Sequence, residues 1–270
     1  MRLISFDALR SWDIPEVRTV KPAHWFREKE RIRQADWVLF PEYWQVNTLV
    51  YGWKKRIFPS ISTYHIGHDK VEMFRAFEGV CPSNIPLTLI LPKTDTAIET
   101  VLDTFDFPFV AKTVRSARGE GVFLIGSRPE LLDYAARHET LFMQEYLPAN
   151  RDLRVVVIGR QVVAAYWREA PAGTFHNNIS RGGTVSFDDI PTAALTLVRQ
   201  VAAELGIDHA GFDVIVSDDG CYLLEFNLWF GTSALNDRGI RTGGVIRHYL
   251  DGMTRSPREP DDYPRLPKAG

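Results

Sequence analysis

The chain alternates short apolar runs with amphipathic stretches, and this pattern is typical of a mixed α/β protein. Short apolar runs bounded by Gly, Pro or Asp predict buried strands at residues 3–6, 37–40, 56–61, 109–114, 122–125, 141–147, 153–158 and 161–167. Apolar positions at helical spacing predict helices at 26–34, 70–78, 96–105, 128–137 and 191–205. Asp69 is the expected N-cap of the second helix, and Thr96 with Glu99 matches a capping box for the third.

These elements fall into segments along the chain. Residues 1–65 form a short α/β layer that lacks a Gly-x-Gly-x-x-Gly turn, so no dinucleotide site is expected there. Residues 66–147 contain a Gly-rich turn between two strands, and residues 148–250 contain two apolar hairpins separated by a polar loop at 170–183. The tail at 251–270 is rich in Pro and charge, so we expect it to be extended or disordered.

The second hairpin, GFDVIVSDDGCYLLEFN at residues 211–227, carries polar groups inside apolar strands. A three-residue loop ending at Gly220 pairs Ser217 with Cys221 and Asp213 with Glu225, and it places Asn227 on the same face. A two-residue loop would instead turn Glu225 away from Asp213. Two adjacent carboxylates repel unless a cation lies between them, and oxygen ligands suit Mg²⁺ or Mn²⁺. The alternative is an exposed sheet face with ordinary polar residues.

The Gly-rich turn lies in FVAKTVRSARGEGVFLI, residues 109–125, between two predicted strands. This arrangement is not a P-loop, because Lys112 precedes the glycines and no helix follows them. A strand, a flexible loop and a strand form a flap whose amides can close on phosphates, with Lys112 at its base. A lysine within an apolar strand supports this interpretation, because a buried ammonium needs an anionic partner.

Composition narrows the function classes. The chain has 270 residues, is 45% hydrophobic and 24% charged, and has a net charge of -2, which does not favour binding to nucleic acid or to an anionic membrane. Its apolar runs are too short to span a membrane, and no signal peptide is expected. Two distant cysteines indicate reduced thiols in a cytoplasmic protein. Trp12, Trp25, Trp37 and Trp44 could line a cleft or a subunit contact, but packing is the favoured interpretation.

Taken together, these motifs resemble the ATP-grasp superfamily, and most closely its RimK-like α-L-glutamate ligase branch. The resemblance covers about two thirds of the chain, through HDK at 68–70, VAKTVRSARGEGV at 110–122, MQEYL at 143–147, RDLRVVVIGRQVVAAYWRE at 151–169, FHNNISRGG at 175–183, and the hairpin. It implies two α+β subdomains that grip ATP, residues 66–147 with the flap and 148–250 with the metal site, after a short N-terminal α/β layer.

The resemblance also implies roles for individual positions. The residues that bind the nucleotide would be Lys70, Lys112, Ser116, Gly119, Gly121, Glu145, Tyr146, Asp152, His176 and Asn177. Among these, Asp152 would hold the ribose, and Glu145 and Tyr146 would read adenine, although both could be ordinary strand residues. The catalytic residues beside the transferred phosphate would be Arg168, Asn178 and Arg181, and Arg168 needs an odd-length hairpin loop to share a face with Asp152. The metal ligands would be Asp213, Glu225 and Asn227.

The implied reaction joins a carboxylate to an amine through an acyl phosphate and releases ADP and phosphate. The alternatives are a kinase that phosphorylates a hydroxyl and a non-catalytic nucleotide-binding module. The expected partners are ATP with Mg²⁺ or Mn²⁺ and small-molecule, amino-acid or peptide substrates; a homo-oligomer is compatible with the sequence. Arg115 in the flap and the segment at 227–240 depart from the family pattern, so the resemblance does not predict the substrate.

Overall fold

The first sheet is parallel and has the order β2-β1-β3-β4. The computed structural model of the protein describes residues 1–115, 121–169 and 184–255. The strands of this sheet are β1 (Leu3–Ser5), β2 (Val17–Thr19), β3 (Trp37–Leu39) and β4 (Arg56–Phe58). The helices between and after them are α1 (Lys29–Gln34), α2 (Tyr43–Asn47), which continues into a π-helical turn at Thr48–Gly52, and α3 (Ile61–Ile66). The carboxyl ends of β1 and β3 lie side by side, where parallel sheets commonly bind ligands.

The second sheet is antiparallel and has its own core. After α4 (Lys70–Val80), its strands are β5 (Thr88–Pro92), β6 (Phe109–Lys112), β7 (Val122–Ile125) and β8 (Thr140–Gln144), in the order β5-β8-β6-β7. Helices α5 (Asp95–Thr104) and α6 (Arg128–Arg137) supply apolar residues to a core formed only with this sheet. Lys112 is the last residue of β6 and therefore lies where the flap begins.

The third sheet is antiparallel and lies between two cores. Its strands are β9 (Arg151–Ile158), β10 (Gln161–Glu169), β11 (Thr184–Ser186), β12 (His209–Ser217) and β13 (Gly220–Asn227), in the order β11-β10-β9-β12-β13. One face packs on α4 and α7 (Thr192–Leu205). The other face packs on the first sheet and on α8 (Ser233–Asp237) and α9 (Thr242–Arg255). Strand residues alternate between the two cores, as a sheet buried on both faces requires.

Several predicted elements match the structure and others are wrong. The bounds of β7 and α6 are those predicted, α7 begins one residue later than predicted, and the Asp69 side chain caps α4 by accepting from the Glu72 amide. The N-cap of α5 is Thr94 and not Thr96, because the Thr94 hydroxyl accepts from the Ala97 amide. Strand β8 ends at Gln144 and not at residue 147, and β5 lies where we predicted no strand.

The remaining predictions concern the ends of segments. Helix α9 continues to Arg255, so the predicted extended tail does not begin at residue 251, and residues 256–270 lie outside the described residues. The predicted loop at 170–183 also lies outside them. The domain boundaries at 65, 147 and 250 stay a prediction. Within the described ranges, no helix has both the length and the apolar character needed to cross a bilayer.

Candidate functional site

The hairpin of β12 and β13 brings Asp213 opposite Glu225, as predicted, but through a different turn. Ser217 pairs with Gly220 across a two-residue turn, so the predicted three-residue turn is wrong. The register shifts by one between Val214 and Asp213, which makes Leu224 the extra residue of a β-bulge. The bulge keeps Cys221 and Leu223 in the core and still turns Glu225 to the face that carries Asp213.

The hairpin of β9 and β10 also combines a two-residue turn with a β-bulge. Ile158 pairs with Gln161 across a two-residue turn, and a bulge at Val163 shifts the register so that Arg168 pairs with Asp152. The odd-length loop that we expected for this pairing is therefore not needed. In both hairpins the turn has two residues, and a bulge then shifts the register by one residue. The shift places two charged side chains opposite each other.

These two hairpins build a row of buried charged groups across β10, β9 and β12. Arg168 binds both oxygens of Asp152, through Nε at 2.7 Å and Nη2 at 2.5 Å. Arg154 binds both oxygens of Asp213, at 2.5 and 3.2 Å, and Arg168 also lies 3.0 Å from Asp213. All four residues are buried. Asp213 is thus held between two guanidinium groups, which fixes its position.

The row continues onto β13 and the start of α4. Lys70 Nζ lies 2.5 Å from Glu225 Oε2. The Asn227 amide nitrogen donates to Asp213 Oδ2 at 3.4 Å and to Glu225 Oε1 at 3.2 Å. The Asp213 and Glu225 carboxylates therefore face one shared position, which the Asn227 amide N–H group occupies.

Lys112 lies next to this cluster and is buried, with 5% of its surface exposed. Among the described residues no carboxylate forms an ion pair with it, and its ammonium lies 5.9 Å from the centre of the Phe142 ring. Burial lowers the pKa of Lys112 to about 8, while the Glu225 charge opposes this shift and Lys70 adds to it. A buried ammonium without a close anion is arranged for an anionic ligand.

The pKa values of the acidic groups follow from the same charges. Burial alone would raise the pKa of Glu225, but Lys70 and Lys112 outweigh it and hold the pKa at about 2. Burial raises the pKa of Asp152, and the hydrogen bonds from Arg168 oppose that rise. The two lysines therefore keep Glu225 ionised below the pH at which an ordinary glutamate gains its proton.

The donor set fits a divalent cation of the magnesium type. Asp213, Glu225 and Asn227 offer carboxylate and amide oxygens, which are hard ligands, and both carboxylates converge on one point. A half-turn of the Asn227 amide exchanges its nitrogen for its oxygen, and amide orientation is assigned from hydrogen bonding. Within the described ranges no cluster of three or more His, Cys, Asp or Glu side chains could hold a metal, so the amide is an essential member of this set.

Glu145 and Tyr146 lie just past the end of β8, away from the charged row. Gln144 pairs with Val110, so the chain beyond it leaves the sheet at the opposite end of β6 from Lys112. The Glu145 amide donates to Leu87 O at 2.9 Å, and its carboxylate accepts from the Leu87 amide at 3.1 Å. These bonds join the two chain segments that enter and leave the second sheet.

The remaining predicted site residues divide into one described glycine and several residues outside the described ranges. Gly121 precedes β7 with a φ of 96°, a conformation that favours glycine. The predicted residues that lie outside the described residues are Ser116, Gly119, His176, Asn177, Asn178 and Arg181.

Sequence reasoning missed Arg154 and the role of Gly211. Arg154 follows Asp152 by two positions, so the alternation of RDLR already placed both on one face of a strand. A Cβ at Gly211 would lie 2.8 Å from Arg154 Nη1 and 3.0 Å from the Phe230 Cβ. Glycine here leaves the space that the Arg154 side chain occupies.

A cavity of about 580 Å³ opens beside the charged row. It lies between the carboxyl ends of β1 and β3, the start of α4 and the end of β13. Lys70 and Asn227 line it, and so do Arg115 at the base of the flap and several aromatic rings. The end of the row formed by Lys70 and Asn227 is thus accessible from a space large enough for a small-molecule ligand.

Comparison with known proteins places this geometry in a family. The family model for the RimK-like ATP-grasp domain matches residues 74–249, which is more than half of the chain. The chain belongs to the RimK-like ATP-grasp family. A solved RimK domain ATP-grasp protein from Sphaerobacter thermophilus DSM 20745 has the same fold, with a TM-score of 0.69 at 15% identity over 93% of this chain and 100% of that one.

Two curated relatives have sequences similar to part of this chain. Human beta-citrylglutamate synthase B is 31% identical over 163 residues, which are 58% of this chain and 42% of that protein. The probable alpha-L-glutamate ligase of Enterobacter sp. (strain 638) is 31% identical over 181 residues, which are 63% of this chain and 60% of that protein. The chain thus matches less than two thirds of the length of either relative.

Proposed function

We propose that this protein is an ATP-dependent ligase that joins a carboxylate to an amine through an acyl phosphate. The observation that carries the proposal is the buried row of charges in which Lys70 and Lys112 face the Asp213 and Glu225 carboxylates beside an open cavity. Family membership and relatives named as a glutamate ligase and a citrylglutamate synthase support the same chemistry. The substrates would be ATP and small-molecule, amino-acid or peptide reactants in a cytoplasmic setting.

The transfer of the phosphoryl group would take place at this row. A substrate carboxylate oxygen attacks the γ-phosphorus and ADP leaves; the amine nitrogen then attacks the acyl carbon, phosphate leaves, and the amine proton passes to solvent. Lys70, Lys112 and Arg168 would stabilise the negative charge that is shared among the phosphate oxygens during the first step. Because these cations are fixed in a buried site, little reorganisation is needed when the charge moves.

Asp213, Glu225 and Asn227 would hold Mg²⁺ or Mn²⁺. The cation would neutralise phosphate charge and orient the γ-phosphoryl group. Asp152 would have a different role from the ribose contact that the resemblance implied. Both of its oxygens accept hydrogen bonds from Arg168, so we assign it the positioning of that guanidinium.

The test is to trap the intermediate with hydroxylamine. A ligase incubated with ATP, Mg²⁺, hydroxylamine and a panel of carboxylates forms a hydroxamate, because hydroxylamine attacks the acyl phosphate. A kinase would instead accumulate a stable phosphorylated hydroxyl compound. Absence of hydroxamate with every carboxylate, together with such a product, would reject the ligase.

Variants of the hairpin test the metal assignment. We expect Glu225→Gln to lower phosphate release by about 100-fold or more, because one ligand charge is lost beside the transferring group. Asp218→Asn is the matched control, since Asp218 lies exposed in the turn of the same hairpin. Turnover that survives both Glu225→Ala and Asp213→Ala would refute the metal site.

A further inference from the structure

The cavity beside the charged row has two aromatic rings whose faces are exposed. Tyr43 follows β3 and is 42% exposed, and Trp229 follows β13 and is 44% exposed. Both line the same cavity. Exposed aromatic surface of this kind is unfavourable in water and commonly marks a binding site.

Each ring is held in place by a neighbour on one side. The Tyr43 ring stacks on His68 with centroids 3.8 Å apart and an interplanar angle of 8°. The Arg10 guanidinium lies 4.6 Å from the Trp229 ring centre, and Tyr64 meets the same ring edge-on at 6.1 Å. Rings that are fixed before binding lose little conformational freedom when a ligand contacts them.

Two cations that line the cavity, Lys70 and Arg115, can receive an anionic end of the ligand. The wall carboxylates already accept hydrogen bonds within the chain: Asp7 from the Arg10 amide, Glu42 from the Trp44 indole, and Asp69 from the amide that it caps in α4. By contrast, within the part of the chain that the structure describes no carboxylate pairs with Arg115. Lys70 also lines the cavity, beside the transfer site.

A cationic ligand fits these rings poorly. A second positive group on the Trp229 ring would be repelled by Arg10, which already lies over that ring. An apolar or aromatic group does not have this cost, and it removes exposed ring surface from water. The cavity therefore combines exposed aromatic rings with two cations, Lys70 and Arg115.

We propose that the reactant whose carboxylate is activated is an amino acid or short peptide with an aromatic or bulky apolar side chain. The side chain contacts the Tyr43 and Trp229 rings, and the carboxylate faces Lys70 and Asn227. This inference rests on the proposed ligase function and names the substrate class of that same site. Trp229 and Tyr43 are then specificity-determining residues of this chain, in the segment at 227–240 and in the N-terminal layer.

The experiment measures hydroxamate formation, with hydroxylamine in place of the unknown amine. Donors of matched size are compared: phenylalanine and leucine, glutamate, and lysine, each as the free amino acid and as the C-terminal residue of an alanyl dipeptide. We expect KM for the aromatic and bulky apolar donors to be at least about ten-fold lower than for glutamate or lysine donors. Binding of the same compounds by calorimetry, in the presence of a non-hydrolysable ATP analogue, gives a second readout.

The variants separate this inference from the proposed function. Trp229→Ala should raise KM for aromatic donors by about ten-fold with a smaller change in kcat, and Trp229→Leu and Tyr43→Leu should give intermediate effects in the event that the alanine variant does not fold. Trp12→Ala is the control, because Trp12 is 66% exposed and does not line the cavity. Hydroxamate formed best from glutamate, or unchanged KM in folded Trp229 variants, overturns this inference alone. Absence of hydroxamate from every donor overturns the ligase function as well.

Discussion

Arg154 reaches Asp213 only because residue 211 has no side chain. Its guanidinium passes the Cα of Gly211 and binds both oxygens of Asp213 from the neighbouring strand. Since Arg168 also binds Asp213, the carboxylate is held from two sides before any ligand arrives. This restraint keeps Asp213 pointing at the position shared with Glu225 and Asn227.

We predict that Gly211→Ala displaces Arg154. The added methyl group would lie 2.8 Å from Arg154 Nη1 and 3.0 Å from the Phe230 Cβ, so one of them must move. We expect a loss of stability of about 1–3 kcal/mol, typical of overpacking, and a clear drop in phosphate release. Chemical denaturation and a turnover assay measure the two effects.

Gly79→Ala is the matched control. Gly79 lies in α4, and no atom lies within 4 Å of a Cβ built there. Alanine should stabilise this helix position by about 0.5–1 kcal/mol and leave turnover unchanged. Equal behaviour of the two variants would show that Gly211 does not provide space for Arg154.

Lys112 gives a prediction about pH. Burial lowers its pKa from 10.5 to about 8, against the opposing charge of Glu225. Between about pH 8 and pH 10.5 the unfolded chain still holds this proton while the folded protein has released it, so stability gains from this group as pH rises. Below pH 8 both states hold the proton and the contribution is constant.

The comparison with Lys112→Met isolates this contribution from other titrating groups. Unfolding free energies of both proteins are measured across this pH range. The free energy of the wild type minus that of the variant should increase by about 3 kcal/mol between about pH 8 and pH 10.5. A difference that stays constant with pH would contradict a lowered pKa for Lys112.

The polar residues of the site could be predicted because they interrupt apolar strands. Asp213 and Glu225 stood out in this way, and Lys112 did so in β6. The partners of each group were harder to predict: Arg154 and Lys70 meet carboxylates on distant parts of the chain, and sequence spacing carries no information about such contacts. The resemblance implied a ligand contact for Asp152, and its hydrogen bonds from Arg168 add a partner whose position depends on the register of the hairpin.

At the scale of elements, a bulge in each hairpin sets which charged side chains lie opposite each other. The core requires Leu223 on one face of β13, and the charged row requires Glu225 on the other. Strict alternation would put both on one face, since they are two residues apart. The extra residue Leu224 resolves this conflict, and Val163 has the same place in the other hairpin. The correct pairing was therefore predicted from the wrong turn.

Deleting Leu224 should keep the site, because it removes only the extra residue of the bulge. Without Leu224, Glu225 follows Leu223 directly, so strict alternation turns Glu225 and Asn227 to the charged row and Phe226 to the core. We expect phosphate release to be retained. The matched variant is Leu224→Ala, which keeps the residue count of the bulge and should also retain turnover. A deletion variant that folds but has lost phosphate release would show that the site needs the bulge itself and not only the pairing of Asp213 with Glu225.

Elements were predictable where their local signals were strong. Helix α7 begins after Pro191 and ends at Gly206, which has a φ of 67°, and both residues are typical signals of helix ends. Strand β5 was missed because Pro86 and Pro92 bracket a short apolar run, and only pairing with β8 shows it to be an edge strand. Thr94 and Thr96 are both suitable caps, and the structure uses the earlier one.

At the scale of the whole molecule, the three sheets do not share one core. The first and third sheets pack together through a core that includes Leu3, Val156 and Leu250, and α9 joins them. The Trp37 indole donates to the Thr254 hydroxyl at 2.8 Å, which adds a polar link. The second sheet has a separate core with α5 and α6. Movement of the second sheet relative to the other two would therefore change the distance between Lys112 and Glu225.

This division predicts two units of local stability. Leu250→Ala should cost about 2–5 kcal/mol, because Leu250 is fully buried in the core that joins the first and third sheets. Amide hydrogen exchange should then speed up together in β1 and β9, while β6 and β8 keep their protection. Leu131→Ala is the matched variant, since Leu131 is equally buried in the core of the second sheet, and it should give the reverse pattern.

Exchange that accelerates equally in all three sheets for both variants would show a single cooperative unit. In that case Lys112 and Glu225 would be fixed relative to each other, and their separation could not respond to a ligand. The opposite result, protection lost in one unit at a time, would allow Lys112 to move relative to the row of charges. ATP bound there would contact both units, so it should slow exchange in β6 and β9 together, which the same measurement records with and without nucleotide.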